Sequence, residues 1–429
     1  GIEGNYGAFS AKLETKYLDK ATHSLSTQFV EISKRVSGRT HQVSRDPYVI
    51  RQHLTPAFAQ ALATSSPLSL FANYGTHVMT AVDIGGEAKY SAHSTATSQM
   101  SETEFKAAAK AEYNFLFGDV KVNTGVSSSS SRASASLVGD KSILFIGGNS
   151  ARNDGLDAWS NTVKSEPALL GPSVLVPVWN LTDDPARAEA LKLAFHQETA
   201  KHPRLRVFRA SNEQRADLSD LSDFSVDVTD EYKLLSGGAL VDSRGAGHLL
   251  TASYPIRNNA WRANGKAHGE SDPAALTLFA VGLSDPDDIW DVKIYKKVAP
   301  YSGGRKQVVA EVEAPYVMVG GGARIEWTGD GVMLTGSWPS GENKWSVEAK
   351  DHGWPASATI TSYAIGLKSK LPGVRVVNKI EQKETQDGPG STRRGTSVSS
   401  SRGYVTVGGG ALADWRGEGV LLTGSHPDP

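Results

Sequence analysis

Residues 74–77 read Tyr-Gly-Thr-His, and after seven more residues the chain reaches Gly85-Gly86. The stretch between, residues 79–84, mixes apolar and polar side chains loosely, which predicts a partly buried strand. A glycine pair at its end lets the backbone bend or another element approach closely, because glycine has no β-carbon. Tyr74 and His77 precede the strand, where their polar tips can tie a loop to a sheet. We interpret His77 as a partly buried, hydrogen-bonded residue, since no second His or Cys lies at metal-ligand spacing.

This spacing resembles the signature of the membrane attack complex/perforin family, which runs aromatic-Gly-Thr-His-aromatic, six residues, Gly-Gly. Val78 stands where the family usually has an aromatic residue. The resemblance implies a pore-forming protein rather than an enzyme. It implies a domain with a bent, twisted antiparallel sheet and two flanking helical clusters that unfurl into membrane hairpins. The signature and flexible-corner candidates are Tyr74, Gly75, Thr76, His77, Gly85, Gly86, Gly147 and Gly148.

Composition limits the alternatives. The chain has 429 residues, enough for two or more domains, and a net charge of −1, which argues against nucleic acid as a partner. It contains no cysteine, so a disulfide framework and a thiol nucleophile are excluded. No apolar run reaches the roughly 18–20 residues of a transmembrane helix, so membrane entry would require refolding of amphipathic segments. No G-x-S-x-G elbow or Walker loop is present, and we expect neither a cofactor nor catalysis.

The N-terminal half combines helical and strand-like patterns. Residues 46–72 predict one or two helices, with Thr55-Pro56 as an N-cap and first-turn proline. Residues 185–202 predict another helix. Residues 143–146 predict a buried strand closed by Gly147-Gly148.

The segment after Gly86 is a candidate membrane hairpin. Residues 88–100 alternate small and polar side chains over a length that suits a transmembrane β-strand, residues 102–116 favour a helix, and residues 120–137 alternate again. A soluble sheet edge with a Ser/Ala-rich helical excursion would give the same pattern. Its position after the signature favours the second hairpin of the family. The candidate inserting residues are Tyr90, Ala92, Ala96, Met100, Val120, Val122, Ala133, Ala135 and Leu137.

The first hairpin would precede the signature. We assign it to residues 4–26, with Phe9, Ala11, Leu13 and Tyr17 on one face, and residues 24–36 form a further strand candidate. The charges within residues 10–16 would all have to face the pore lumen. Because the family usually has additional elements upstream, we expect N-terminal sequence to be missing.

The C-terminal half contains an internal repeat. Gly-Gly-Ala recurs at 237–239, 321–323 and 409–411, and threonine and proline follow each alanine at offsets of 12 and 16. Tryptophan at an offset of 22 occurs in two copies, as Trp261 and Trp345. Three copies of a β-rich, glycine-punctuated unit predict a closed pseudo-threefold β-prism or trefoil. The third copy ends before its tryptophan, so we expect it to be incomplete.

The predicted fold class is therefore α+β. Residues 1–203 form the membrane attack complex/perforin domain, and residues 204–429 form an all-β domain with units at about 204–290, 291–372 and 373–429. Trp261 and Trp345 are interpreted as core residues. Aromatic residues that vary between the units are better candidates for sugar stacking or interfacial contact. The target-binding candidates are Trp327, Trp338, Trp354, Trp415, His268 and His352.

The sequence thus predicts a secreted bacterial pore-forming toxin, with insecticidal members of the family as the nearest type. It would bind target-cell lipid or an unknown glycan or protein receptor, form a homo-oligomeric ring and insert two hairpins per subunit. The alternative is a non-lytic, lectin-like surface-binding protein, which the charges in residues 10–16 favour.

Overall fold

A computed structural model describes residues 29–94, 138–149, 156–212, 224–243, 248–267, 274–328, 332–351, 356–385, 396–414 and 422–427. The chain divides into two compact units, one ending at Phe195 and including Asp428–Pro429, the other spanning His196–Pro427. The domain limit at 203/204 stays a prediction. Most described residues lie in antiparallel sheets.

Within the described residues the helices are α1 (Pro47–Arg51), α2 (Pro56–Thr64), α3 (Pro67–Tyr74), α4 (Leu156–Thr162) and α5 (Pro185–Thr199), with a 3₁₀ helix at Val178–Leu181. The first three share one start signal, in which a polar cap precedes proline. Asp46, Thr55 and Ser66 each accept a hydrogen bond from a backbone N–H of the first turn. Proline suits the first helical position because its missing N–H has no intrahelical partner there. The region 46–72 therefore forms three helices, not one or two.

The described strands of the first unit form a four-stranded sheet. Its strands are β1 (Phe29–Gln42), β2 (His77–Ser94), β3 (Val138–Ile146) and β4 (Ala168–Pro177). Strand β2 pairs with β1 along one edge and with both β3 and β4 along the other. Strand β4 and the 3₁₀ helix pack on helices α2, α3 and α5. The core between them is formed by Leu62, Leu70, Val176, Val178, Leu181 and Leu191.

The prediction of a buried strand at residues 143–146 is wrong in one respect. These residues lie in β3, but Ile143 and Leu144 are 43% and 48% exposed. Because adjacent strand residues point to opposite faces, these two exposures show that neither face of β3 is fully covered at this point.

The strands that the structure describes in the second unit form three antiparallel sheets. Its strands are β5 (Leu205–Ser211), β6 (Ser225–Asp227), β7 (Tyr232–Ser243), β8 (His248–Arg257), β9 (Ala260–Ala267), β10 (Ala274–Ser284), β11 (Trp290–Tyr301), β12 (Arg305–Glu311), β13 (Val317–Thr328), β14 (Val332–Gly341), β15 (Lys344–Asp351), β16 (Ser357–Ser369), β17 (Ala411–Leu412) and β18 (Gly424–Ser425). The sheet orders are β18-β7-β10-β5, β11-β16-β13-β8-β9-β6 and β12-β15-β14-β17.

The predicted repeat is present in the strands. Strands β7 to β10 correspond to β13 to β16, since Ala239 and Ala323 are 84 residues apart and the strand limits follow that spacing. Neighbouring repeats pair with one another in the same register. Ala323 pairs with Ser253, Ala411 with Ser337, and Ala239 with Ser425. The first repeat thus pairs with the second, the second with the third, and the third with the first.

The tryptophans at offset 22 are core residues. Trp261 and Trp345 are 1% and 2% exposed. The indole nitrogen of each donates a 2.9 Å hydrogen bond to the serine hydroxyl eight residues earlier, Ser253 or Ser337. A β-carbon on Gly237 or Gly321 would lie 2.3 Å from the corresponding indole, so the first glycine of the first and second repeats makes room for the ring.

Candidate functional site: the glycine bend of the first unit

The signature residues convert helix α3 into strand β2. Tyr74 is the last residue of α3, and Gly75 caps the helix with φ at 82°, a conformation that favours glycine. The Thr76 carbonyl then accepts a 3.0 Å hydrogen bond from the Val178 backbone. The motif therefore fastens the start of β2 to the 3₁₀ helix that follows β4.

His77 begins β2 inside an aromatic cluster. Its ring lies 5.4 Å from the rings of both Trp179 and Phe195, in edge-to-face arrangements. Its Nδ1 lies 2.9 Å from the Thr76 hydroxyl. Burial lowers the pKa of the His77 imidazole, since the cluster disfavours a charged ring. The structure thus places His77 as a packed residue at a corner of the sheet.

The partner of β2 changes at Gly86. Residues His77 to Gly85 pair with β4, whereas residues Glu87 to Ser94 pair with β3. On the other edge, β1 follows β2 throughout but has a register irregularity between Ser37 and Arg39. The Gly85-Gly86 pair thus separates two halves of the sheet that differ in one neighbour, and we call this junction the glycine bend.

At this point other atoms lie too close to admit a side chain. A β-carbon on Gly85 would be 2.1 Å from the Val36 carbonyl oxygen, and one on Gly86 would be 2.5 Å from Val163 Cγ2. The second glycine pair lies at the same place. Gly147 has φ at 69°, and a β-carbon there would be 2.4 Å from the Gly85 carbonyl oxygen. The structure therefore brings together two glycine pairs that are distant in sequence.

Trp159, on α4, fills the space that these glycines leave. Its indole nitrogen donates a 2.9 Å hydrogen bond to the Gly147 carbonyl oxygen, and its ring lies 5.3 Å from that of Phe145. Trp159 is 1% exposed and forms a small core with Ala88 and Val163. Sequence reasoning missed this residue. The available signal was an aromatic residue on a short segment after Gly147-Gly148, which does not predict its contact with Gly86.

A charge cluster lies beside the bend on the other edge of β2. Arg35 of β1 lies 3.8 Å from Asp83 and 3.7 Å from Glu87, and so connects the two halves of β2 across the glycines. Glu87 is 7% exposed, and Lys89 is 4.0 Å from it. Asp83 also accepts a 2.7 Å hydrogen bond from Thr40. Since Glu87 is buried, its cations offset part of the cost of a desolvated carboxylate.

The residues that contain the glycine bend match a known domain type. Residues 2–181 match the family model of the MAC/Perforin domain. The chain contains a MAC/Perforin domain. Proteins of this family are generally pore-forming membrane-attack proteins that bind membranes and oligomerise, and they are not enzymes. No curated protein matches the sequence of the chain.

Three solved structures are similar to the chain. GNIP1Aa from Chromobacterium piscinae is 17% identical, with 74% of this chain and 62% of that protein covered and a TM-score of 0.38. A putative cell invasion protein with a MAC/Perforin domain from Bacteroides thetaiotaomicron is 16% identical, with coverages of 47% and 45% and a TM-score of 0.32. Astrotactin-2, a vertebrate-specific perforin-like membrane protein, is 12% identical, with coverages of 64% and 55% and a TM-score of 0.27. The chain spans less than two thirds of the length of each.

The MAC/Perforin hairpin candidates fall in two groups. Tyr90 and Ala92 lie in the half of β2 that pairs with β3, and both are fully buried. The remaining candidates lie outside the described residues: Phe9, Ala11, Leu13, Tyr17, Ala96, Met100, Val120, Val122, Ala133, Ala135 and Leu137. Within the described ranges no helix is both long and apolar enough to cross a membrane.

The target-binding candidates are only partly described. Trp327, in β13, and Trp338, in β14, are half-buried, and the Lys266 ammonium lies 5.2 Å from the Trp327 ring. Trp354, Trp415, His268 and His352 lie outside the described residues. Where the structure describes the chain, it contains no cluster of three His, Asp or Glu side chains that could hold a metal ion.

Proposed function

We propose that this protein is a secreted pore-forming toxin that binds a target membrane, assembles into a homo-oligomeric ring and inserts two β-hairpins per subunit. The observation that carries the proposal is the change of partner at Gly86. A sheet whose halves have different neighbours can straighten at that point without dissolving all of its pairing. Closure of the inserted strands into a barrel would satisfy every backbone hydrogen bond within lipid.

The bend held by Trp159 is the resting state of this mechanism. Opening requires the indole to leave Gly86 and Gly147, which costs a hydrogen bond and a buried aromatic contact. Oligomerisation would offset that cost, because neighbouring subunits pair with strand edges that the monomer leaves open.

We further propose that the second unit is a β-prism that docks on the target cell. Its support is the cyclic register in which each repeat pairs with the next through Ala323–Ser253, Ala411–Ser337 and Ala239–Ser425. Insecticidal members of the family carry β-rich C-terminal domains of this general kind. We therefore extend the proposal to insect cells as the target.

A Gly86→Val variant tests the mechanism. The added side chain would collide with Val163 and Trp159, so we expect it to change the bend and abolish release of a dye from vesicles of target-membrane lipid while binding persists. Gly409→Val is the matched control, since a β-carbon there meets nothing within 4 Å. Negative-stain images of the same samples report rings or arcs. Full dye release by a folded Gly86→Val protein would refute the role of the bend.

The second candidate is a non-lytic surface-binding protein, which the charges of Lys12, Glu14 and Lys16 favour. It predicts binding to cells by the unmodified protein with neither dye release nor rings.

A further inference from the structure

The outer strands β5 and β11 carry the same cation–aromatic arrangement. On β5, the Arg206 guanidinium lies 4.9 Å from the Phe208 ring centre, and Phe208 meets Tyr232 edge to face at 5.2 Å. On β11, the Lys293 ammonium lies 4.6 Å from the Tyr295 ring centre, and Tyr295 meets Tyr316 edge to face at 6.2 Å. We name these the first cluster (Arg206, Phe208, Tyr232) and the second cluster (Lys293, Tyr295, Tyr316).

The two clusters occupy equivalent positions in the repeat. Arg206 pairs with Gly282 and Lys293 with Gly366, and these two glycines are 84 residues apart. A β-carbon on Gly282 would lie 2.9 Å from the Phe208 ring, and one on Gly366 would lie 2.8 Å from the Tyr316 β-carbon. Both aromatic pairs thus pack directly against these glycines. The arrangement therefore belongs to the repeat and is not produced by isolated surface side chains.

The charges of both clusters are available to a partner. Arg206 and Lys293 are exposed, and no carboxylate in the described part of the chain lies within ion-pair distance of either. Lys297 continues the exposed positive charge on the cluster face of β11, whereas Lys296 and Arg209 are exposed on the opposite faces of their strands. The nearest acidic residue of the second cluster, Asp291, already accepts a 2.6 Å hydrogen bond from Tyr316 and pairs with Lys368 at 3.2 Å.

Val207 and Val298 are also exposed on these strands, but each lies on the face opposite to its cluster, because successive residues of a strand point to opposite faces. The clusters themselves combine cations on aliphatic stems with tyrosine. This combination is found at membrane–water interfaces, where rings and stems enter the headgroup region and charges meet phosphate. Cations spread along an extended strand also suit a continuous negative surface better than a single small anion.

The third repeat also has a cation close to an aromatic ring. The Lys379 ammonium lies 5.9 Å from the Tyr404 ring, but Lys379 is paired with Glu381 at 2.6 Å. Its charge is therefore already neutralised.

We propose that the first and second clusters are docking sites for the headgroups of anionic phospholipids. This inference deepens the target-docking role given above and rests on it. An unpaired strand edge bearing lysine and arginine is also a common protection against edge-to-edge aggregation. That role alone would give no preference for negatively charged membranes.

The test is sedimentation of the full chain with vesicles of phosphatidylcholine, with or without phosphatidylserine. We expect binding to the phosphatidylserine vesicles only, weakened by salt through screening. The R206Q/K293Q double variant should lower the partition coefficient by roughly five- to sixfold for each cation removed, or about thirtyfold in total. R206K/K293R keeps both charges and should bind like the unmodified protein, and circular dichroism verifies folding of each variant.

K344Q/K383Q removes the same net charge at two other exposed positions of the second unit and should retain most of the binding. Equal loss in this control, undiminished binding of R206Q/K293Q, or equal binding to neutral vesicles would each overturn the proposal. Displacement from vesicles by millimolar inorganic phosphate would also overturn it, in favour of a soluble-anion site.

Dye release measured on the same vesicles separates this inference from the pore. Charge-dependent binding without dye release would support the docking sites and contradict the pore. If neutral vesicles release dye and R206Q/K293Q does not reduce that release, the result would support the pore and contradict the docking sites.

Discussion

Replacement of Trp159 by alanine should release the bend of the first sheet. The side chain is 1% exposed, and its loss removes an indole packed against Ala88 and Val163. Truncation of a buried tryptophan typically costs about 3–5 kcal/mol, including the cavity it leaves. The lost hydrogen bond to the Gly147 carbonyl accounts for about 1 kcal/mol of such an effect. Trp159→Phe keeps most of the packing and should cost about 1–2 kcal/mol, mainly through that hydrogen bond.

The assay is urea unfolding followed by far-ultraviolet circular dichroism, with hydrogen exchange of β2 assigning the transition of the first unit. Leu68→Ala is the control, since Leu68 is 53% exposed and its truncation should change the free energy of unfolding by less than about 0.5 kcal/mol. A loss of less than about 1 kcal/mol in Trp159→Ala would refute the reasoning, because a side chain so enclosed cannot be removed at so small a cost.

A double-mutant cycle tests whether Trp159 acts through Gly86. A β-carbon at Gly86 would lie 2.9 Å from the indole Cζ2, so Gly86→Ala should be destabilising in the unmodified protein. The same substitution should cost less in the Trp159→Ala background, with a coupling of about 0.5–3 kcal/mol. Strict additivity would show that the indole does not set the space at Gly86.

Three further expectations concern other positions. Gly147→Ala should destabilise the first unit by more than about 1 kcal/mol, because φ is 69° and the Gly85 carbonyl occupies the β-carbon position; an unchanged urea midpoint would contradict this. The His77 pKa lies below its ordinary value of 6.5, so as pH falls through 6.5 the unfolded chain binds more protons than the folded chain, and the stability of the fold declines. His77→Phe should therefore reduce the loss of melting temperature between about pH 7.5 and about pH 5.5. Ser253→Ala and Ser337→Ala should each cost about 1–3 kcal/mol by leaving a buried indole N–H unsatisfied, and unequal urea midpoints would argue against equivalent repeats.

Local features of the fold could be predicted from the sequence. Thr55-Pro56 correctly predicted a helix start, because the cap and the proline act within one turn. The spacing of Trp261 and Trp345 predicted two equivalent core positions, since the repeat constrains both in the same way.

Features that depend on contacts between distant segments could not be predicted. The contact of Trp159 with Gly86 requires the change of partner along β2, which no local pattern encodes. The pairing of Ala239 with Ser425 likewise depends on closure of the whole second unit. The exposure of Ile143 escaped prediction because apolar composition alone does not reveal whether a second strand or a helix covers that face.

The strand pairing between the first and third repeats has a consequence for synthesis of the chain. Leu240 leaves the ribosome long before its partner Gly424, so the sheet β18-β7-β10-β5 is completed only by residues 184 positions later in the sequence. Non-local pairing of this kind slows folding, because the entropy of closing a long loop is lost before the contacts form. Until then β7 has an open side to which a chaperone or a neighbouring nascent chain can attach. We therefore expect yield during expression to be limited by completion of this last pairing, and slower translation alone to give little improvement.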